Sequence, residues 1–200
     1  MKTVLSHSLT DKKDRLRDYL ERFEGPVAVA FSGGVDSACL LDMAKRYCRF
    51  DAIAVLMDSS FLASDEKEHA IRLAASMNVD IEIVVWEPLD NELIRANGLD
   101  RCYHCKYHMY SLLLDIMRDK GAGNVLDGSH MDDIEERRPG LKAIKELGVC
   151  TPFREVGIGK KDIRRLAASL PMRQAERRSR ACLAAELGYG VELTKESLGW

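Results

Sequence analysis

Val27-Ala-Val-Ala-Phe-Ser-Gly-Gly-Val-Asp-Ser37 changes character halfway along its length. Its first half, Val27 to Phe31, has the β-branched and aromatic content of a short buried strand. The run breaks at Ser32-Gly33-Gly34 and resumes through Val35-Asp36-Ser37-Ala38-Cys39-Leu40-Leu41, which has helical spacing and apolar bulk. A strand that turns through two glycines into a helix gathers bare backbone N–H groups at a positive helix end, and that is a cradle for phosphate. The glycines let an anion approach the backbone with no Cβ in the way, and Ser32 and Ser37 add hydroxyl donors. No Gly-Lys-Ser/Thr ending follows, so this is not a Walker-type loop. A strand-turn-helix whose glycines serve only tight packing is the plainer alternative.

On either side of this stretch, strands and helices alternate. Ser8 or Thr10 caps a helix with Leu16, Tyr19, Leu20 and Phe23 on one face, stopped by Gly25-Pro26. Beyond the glycines come a second strand at Ala52–Met57, a helix from Ser64 closed by Asn78, and a third strand at Ile81–Trp86. Cys102 and Cys105 are expected on a loop that enters a further helix carrying Tyr107, Tyr110, Leu113, Leu114 and Met117. A fourth strand at Asn124–Asp127, a short fifth at Gly148–Cys150 and an amphipathic helix over residues 161–170 complete the order. This alternation predicts an α/β fold, a five-stranded parallel sheet with helices on both faces. Ligands of such sheets sit beyond the carboxyl ends of the strands. The residues to interrogate are therefore the glycine loop, Met57 (its backbone suited to an adenine edge), Asp127-Gly128 and Thr151. Residues 1–170 read as one domain, and residues 171–200 as a short, basic C-terminal extension carrying Cys182.

Composition bounds the partners. Of 200 residues, 31% are charged and 46% hydrophobic, the profile of a soluble globular chain. A formal net charge of −2 offers no global field for nucleic acid, so a nucleic-acid partner is not expected. No apolar run reaches membrane-span length and the N-terminus lacks a signal-peptide pattern, which points to a cytoplasmic protein without membrane contact. In a reducing compartment, the six cysteines are metal-binding, catalytic or small core hydrophobes rather than disulfides. Cys39, Cys48 and Cys150, set among apolar residues, take the last role.

Cys102-x-x-Cys105 can be a redox dithiol, half of a zinc site or half of an iron–sulfur site. Cys182 is the distant third ligand in either metal reading, and His108 could complete a Cys₃His zinc set. Arg178 and Arg180 beside Cys182 should lower its thiol pKa and can pair with a substrate phosphate. Asp127-Gly-Ser-His-Met-Asp-Asp133 places three carboxylates beyond a central strand, where carboxylates near phosphate act through Mg²⁺. Arg138 and Lys160 are counter-charges for a leaving pyrophosphate.

Ser32-Gly-Gly-Val-Asp-Ser37 resembles the PP-loop of the ATP pyrophosphatases, which cleave ATP to AMP and pyrophosphate; the resemblance places ATP on Ser32, Gly33, Gly34 and Ser37 and has Asp36 help hold Mg²⁺. Further strings agree on one family within that superfamily. Asp100-Arg-Cys-Tyr-His-Cys-Lys106, Asp127 to Asp133, Arg138-Pro-Gly140, Lys160-Lys-Asp-Ile-Arg164 and Ala181-Cys-Leu-Ala184 are similar, in order, to motifs of the LarE family. The resemblance implies a sulfurtransferase of nickel-pincer nucleotide cofactor biosynthesis. Such an enzyme adenylates a carboxylate of a small nucleotide-like substrate and replaces AMP with sulfur. Its catalytic residues here are Cys182, Asp36, Lys160 and Arg138; Met57, Asp127, Gly128 and Asp133 join the nucleotide site. One branch of the family sacrifices its cysteine to dehydroalanine, and another carries an iron–sulfur cluster on three cysteines. Cys102, Cys105 and Cys182 favour the latter, a 4Fe–4S cluster, ahead of zinc. A homo-oligomer is the expected assembly. The alternatives are a PP-loop tRNA thiolase using a cluster, and a metal- or cluster-binding module that only senses nucleotide.

Overall fold

The computed structural model describes residues 8–134, 139–168 and 182–200. Helix α1 (Leu9–Leu20) starts at Ser8, whose hydroxyl accepts the Asp11 N–H while the Asp11 carboxylate accepts the Ser8 N–H. Strand β1 (Val27–Ala30) then leads into α2 (Val35–Tyr47), β2 (Ala52–Asp58), α3 (Ser64–Ser76) and β3 (Ile81–Val85). After a short α4 (Glu92–Arg95) come the long α5 (Arg101–Asp119), β4 (Asn124–Leu126), α6 (Pro139–Glu146), α7 (Pro152–Glu155) and α8 (Lys160–Ala168). No described helix is long and apolar enough to cross a membrane.

The sheet runs β3-β2-β1-β4 with every pairing parallel. Residues alternate between its faces. Val27, Val29, Ala54 and Leu56 pack with α1, α2, α3 and α8, while Ala28, Val55, Val84 and Val125 pack with α5 and α6. Both faces are thus covered, as the apolar runs predict. The chain builds β2 and β3 on one side of β1, then crosses to lay β4 on the other. The switch in direction lies beside the end of β1, where the glycine loop leaves the sheet.

Two expectations need correction. The sheet has four strands, not five. Residues 148–150 reach the fifth position but make only a bridge, Leu126 with Cys150, held by the Asp127 N–H to the Cys150 carbonyl at 2.8 Å and the Cys150 N–H to the Val125 carbonyl at 2.9 Å. Gly148 enters this segment at φ +69° and Pro152, which has no N–H, ends it by starting α7, so a ladder has no room to grow. The second correction concerns the cysteine pair: Cys102 and Cys105 lie in the first turns of α5, one helical turn apart, rather than on a loop before it.

A third apolar cluster ties the C-terminal residues to the sheet. Phe61, Trp86, Ile94, Ala184, Leu193 and Leu198 pack together. The Leu183 N–H donates to the Phe61 carbonyl at 3.1 Å and the Trp200 indole N–H to the Ser60 carbonyl at 2.8 Å. Residues 182–200 therefore cover the carboxyl ends of β2 and β3.

Candidate active site

Beyond Phe31 the chain turns through Gly33 at φ +74°, a conformation L side chains rarely adopt, and a Cβ there would stand 3.0 Å from the Ala70 Cα. Gly34 opens α2 with no side-chain cap, leaving the first N–H groups of the helix to a ligand. Ser37 is buried and braces the turn: its hydroxyl donates to the Gly34 carbonyl at 3.1 Å and accepts the Ser32 N–H at 3.2 Å. The Ser32 hydroxyl stands 3.3 Å from that of Ser37 and accepts the Gly34 N–H at 3.4 Å. The cradle is thus preshaped by its own serines.

Asp36, one residue into α2, faces Lys160 at the start of α8. The ammonium spans both carboxylate oxygens at 2.7 and 2.6 Å. Each partner is about a quarter exposed, so the pair lines the mouth of the cradle rather than its floor. The Asp132 carboxylate accepts the Lys160 backbone N–H at 2.6 Å, which fastens the loop after β4 to the helix that carries the lysine. His130 sits between them, its Nε2 4.0 Å from Asp36 and its buried Nδ1 without a hydrogen-bond partner among the described residues. Sequence reasoning gave His130 no role, although its place inside the carboxylate string was the available signal.

Asp127 and Asp133 come to the same edge but turn their oxygens onto protein donors. One Asp127 oxygen accepts the Ser129 N–H at 2.7 Å and the Ser129 hydroxyl; the other accepts the Tyr110 hydroxyl and lies 3.4 Å from the Lys106 ammonium. Burial pushes this carboxyl up, but Lys106, Ser129 and Tyr110 outweigh it and hold it below the usual range. Asp133 is buried and accepts the His130 N–H at 2.8 Å. Gly128 explains the proximity of the loop to α2, since a Cβ there would meet the Asp36 carbonyl carbon and the Ser37 nitrogen at 3.2 Å. Arg138, expected here as a counter-charge, lies outside the described residues, as do Arg178 and Arg180.

The Tyr110 hydroxyl is the donor whose loss is simplest to read. Tyr110→Phe should destabilise the fold by about 1–3 kcal/mol, near 5 °C in melting temperature for a chain of this size. Because the folded carboxyl is depressed, its contribution is complete above the unfolded aspartate value of about 4 and fades as pH falls through the folded one. The difference in melting temperature between wild type and variant should therefore be full at pH 7 and shrink at pH 3. A gap of equal size at both pH values would contradict this account.

The sulfur residues meet at the N-terminal end of α5. Cys102 and Cys105 are partly buried, and Cys182 is exposed at the start of the short helical turn Leu183–Glu186. Burial pushes the Cys105 thiol up to about 12, with Cys182 and Cys102 adding to the rise and Lys106 and Arg101 opposing it. Although the residue is exposed, desolvation of its sulfur raises the Cys182 thiol too, with Cys102 adding to the rise and the Ala185 N–H, Arg101 and Lys106 opposing it. The described cations do not outweigh desolvation; Arg178 and Arg180, on which the expectation of a lowered pKa rests, lie outside the described residues. The three thiols feel one another electrostatically, yet among the described residues no three His, Cys, Asp or Glu side chains are grouped to hold a single metal ion. Tetrahedral zinc, with Zn–S of about 2.3 Å, demands such a group. His108, the expected fourth zinc ligand, is instead exposed and set against the Trp86 ring at 5.7 Å. Magnesium needs no protein cage, taking one or two carboxylates beside substrate phosphates, so Asp36 fits that role. A cavity of about 550 Å³ opens beyond β2 and β3 among Asp58, Ser59, Lys67, Trp86, Lys195 and Trp200, next to the Met57 strand end.

Comparison with known proteins agrees with the loop. Residues 8–138 match the PP-loop domain family model. An uncharacterised protein of Synechocystis sp. is 30% identical over 95% of this chain and 70% of its own length. A pyridinium-3,5-bisthiocarboxylic acid mononucleotide synthase of Lactiplantibacillus plantarum is 32% identical over 86% of this chain; the match spans 63% of that protein. A solved U34-tRNA thiolase of Methanococcus maripaludis, with its 4Fe–4S cluster, shares the fold at a TM-score of 0.62 and 15% identity, covering 89% of this chain and 70% of that one.

Proposed function

The chain belongs to the PP-loop domain family, and from that premise we propose that it is an ATP-dependent, adenylating sulfurtransferase acting on a small nucleotide-like carboxylate. The Lactiplantibacillus plantarum relative supports cofactor biosynthesis as the setting. The observation that carries the reading is the span of Lys106. It follows Cys105 on α5 and reaches Asp127, whose neighbour Gly128 packs on the Asp36 turn of α2, so the sulfur residues and the phosphate cradle share one edge of the sheet.

In this reading the N–H groups at Gly33 and Gly34, with the Ser32 and Ser37 hydroxyls, bind the ATP phosphates, and the Met57 backbone takes the adenine edge. Asp36 would hold Mg²⁺, which supplies charge neutralisation to the phosphates when bound. Lys160, now paired with Asp36, is placed to take the charge of the departing pyrophosphate. The substrate carboxylate attacks the α-phosphorus and expels pyrophosphate, leaving an acyl adenylate. Sulfur then attacks the acyl carbon; a C–S bond forms, the C–O bond to AMP breaks, and AMP leaves with the electron pair. If Cys182 is itself the donor, loss of its Cα proton and cleavage of its Cβ–S bond give the thiocarboxylate and dehydroalanine. In the other branch Cys102, Cys105 and Cys182 would hold a 4Fe–4S cluster, which would supply an extra bound sulfide to the acyl carbon, and the cysteines would be kept.

The test is acceptor-dependent AMP formation. Purified anaerobically with ATP and Mg²⁺, the protein should release AMP and pyrophosphate with a pyridinium dicarboxylate mononucleotide and give a product carrying sulfur for oxygen by mass. A tRNA thiolase would do so with tRNA instead, and a nucleotide-sensing module with neither.

A further inference from the structure

Arg101 is 3% exposed, and among the described residues no carboxylate pairs with it. A guanidinium taken out of water needs its donors filled and its charge answered by something negative. Three of its five N–H donors have partners among the described residues: Nη1 donates to the Asn97 side-chain oxygen and the Ala184 carbonyl, both at 2.6 Å, and Nη2 to the Cys102 sulfur at 3.4 Å. Asn97, fully buried at φ +53°, holds the same segment by donating to the Gly188 and Val191 carbonyls at 2.9 Å. The Tyr189 ring covers the guanidinium at 5.5 Å. Each of these partners is neutral, and the one not spoken for by the fold is sulfur.

We propose that Arg101 is a positioning residue of the sulfur site: it ties the Cys182 segment to the start of α5 and presents an uncompensated positive charge to the sulfur of Cys102 and to whatever anionic sulfur lies between Cys102 and Cys182. This rests on the sulfurtransferase reading for its purpose, but not for its test. A purely structural arginine would be served as well by a neutral donor of similar shape. A charge-bearing one draws anions to the sulfurs.

The experiment uses the metal-free, reduced full chain without ATP or acceptor, alkylated with iodoacetate or with neutral iodoacetamide, and read peptide by peptide. Wild type should favour the anionic reagent at Cys102 and Cys182, relative to Cys48, by about fivefold over Arg101→Gln, as one screened charge at short range allows. Arg101→Lys should keep most of that preference. Asn97→Asp leaves the arginine in place but gives it a carboxylate, and should cut the preference even if Arg101→Gln does not fold. An unchanged ratio in a folded Arg101→Gln, or in Asn97→Asp, would overturn the proposal. Because no sulfur transfer is measured, a protein inactive toward every acceptor could still pass, and an active one could still fail.

Discussion

Asp36→Asn should lower acceptor-dependent pyrophosphate release by about 10²–10³-fold while leaving the melting temperature within a few degrees of wild type. Two features make the effect large and local. Asp36 is the carboxylate at the mouth of the phosphate cradle, where in the proposed reading it would hold Mg²⁺, whose charge neutralisation would be worth several kcal/mol in the transition state. At roughly 1.4 kcal/mol per tenfold in rate, losing most of that gives the stated range. The amide keeps the shape of the side chain and can accept a hydrogen bond, but it carries no charge for the cation. The stability cost is small because the Asp36–Lys160 pair is about a quarter exposed, and such pairs contribute at most about 1 kcal/mol. Steady-state pyrophosphate release beside a thermal melt checks both halves. A rate within fivefold of wild type would mean that Asp36 serves only to hold Lys160.

Cys182→Ala should abolish sulfur transfer, by at least about 10³-fold, and leave pyrophosphate release within threefold. The separation follows from placement. Cys182 is exposed, and the Leu183 N–H and Ala184 carbonyl anchors of its segment are backbone groups that alanine keeps. Adenylation should therefore proceed and the adenylate go undelivered, or be lost to water. Cys102→Ala then separates the two sulfur sources. If Cys182 is sacrificed, Cys102→Ala stays active, each chain turns over once, and the mass of Cys182 falls by the elements of H₂S. If a cluster delivers the sulfide, Cys102→Ala, Cys105→Ala and Cys182→Ala all lose an oxygen-sensitive brown chromophore together with the activity.

The first four strands were legible because each is a short apolar run closed by a polar or glycine turn, and tertiary packing had no reason to override them. The fifth was not, because three residues between a left-handed glycine and a proline look extended yet cannot sustain a ladder. The cradle was legible for a similar reason: Gly33 and Gly34 carry their conformation in their identity. The chemistry around it was less so. Asp127 reads as a ligand in sequence, yet its oxygens face Ser129, two residues on, and Tyr110 and Lys106, donors brought from an element 17 to 21 residues earlier that no local pattern reveals. Arg101 was passed over as part of a polar string. Its signal was position: with Cys105, Met109 and Leu112 it falls on the α5 stripe that packs against the C-terminal residues, and an arginine on an apolar stripe calls for a reason. The basic run at residues 173–180, expected to act on Cys182, lies outside the described residues.

The anchoring of the Cys182 segment has a consequence in time. Among the described residues, its holds on the rest of the fold include Ser60, Phe61, Arg95, Asn97 and Arg101, all much earlier in the chain. Cys182 follows Cys105 by 77 residues, so at about 5–20 residues per second the ribosome exposes the cysteine pair several seconds before their companion is made. The strands and helices around the phosphate cradle can pack in that interval. The sulfur site is therefore completed after the glycine loop and its surrounding strands have been made, and a nascent chain can present the phosphate cradle while Cys102 and Cys105 still stand open to the solvent.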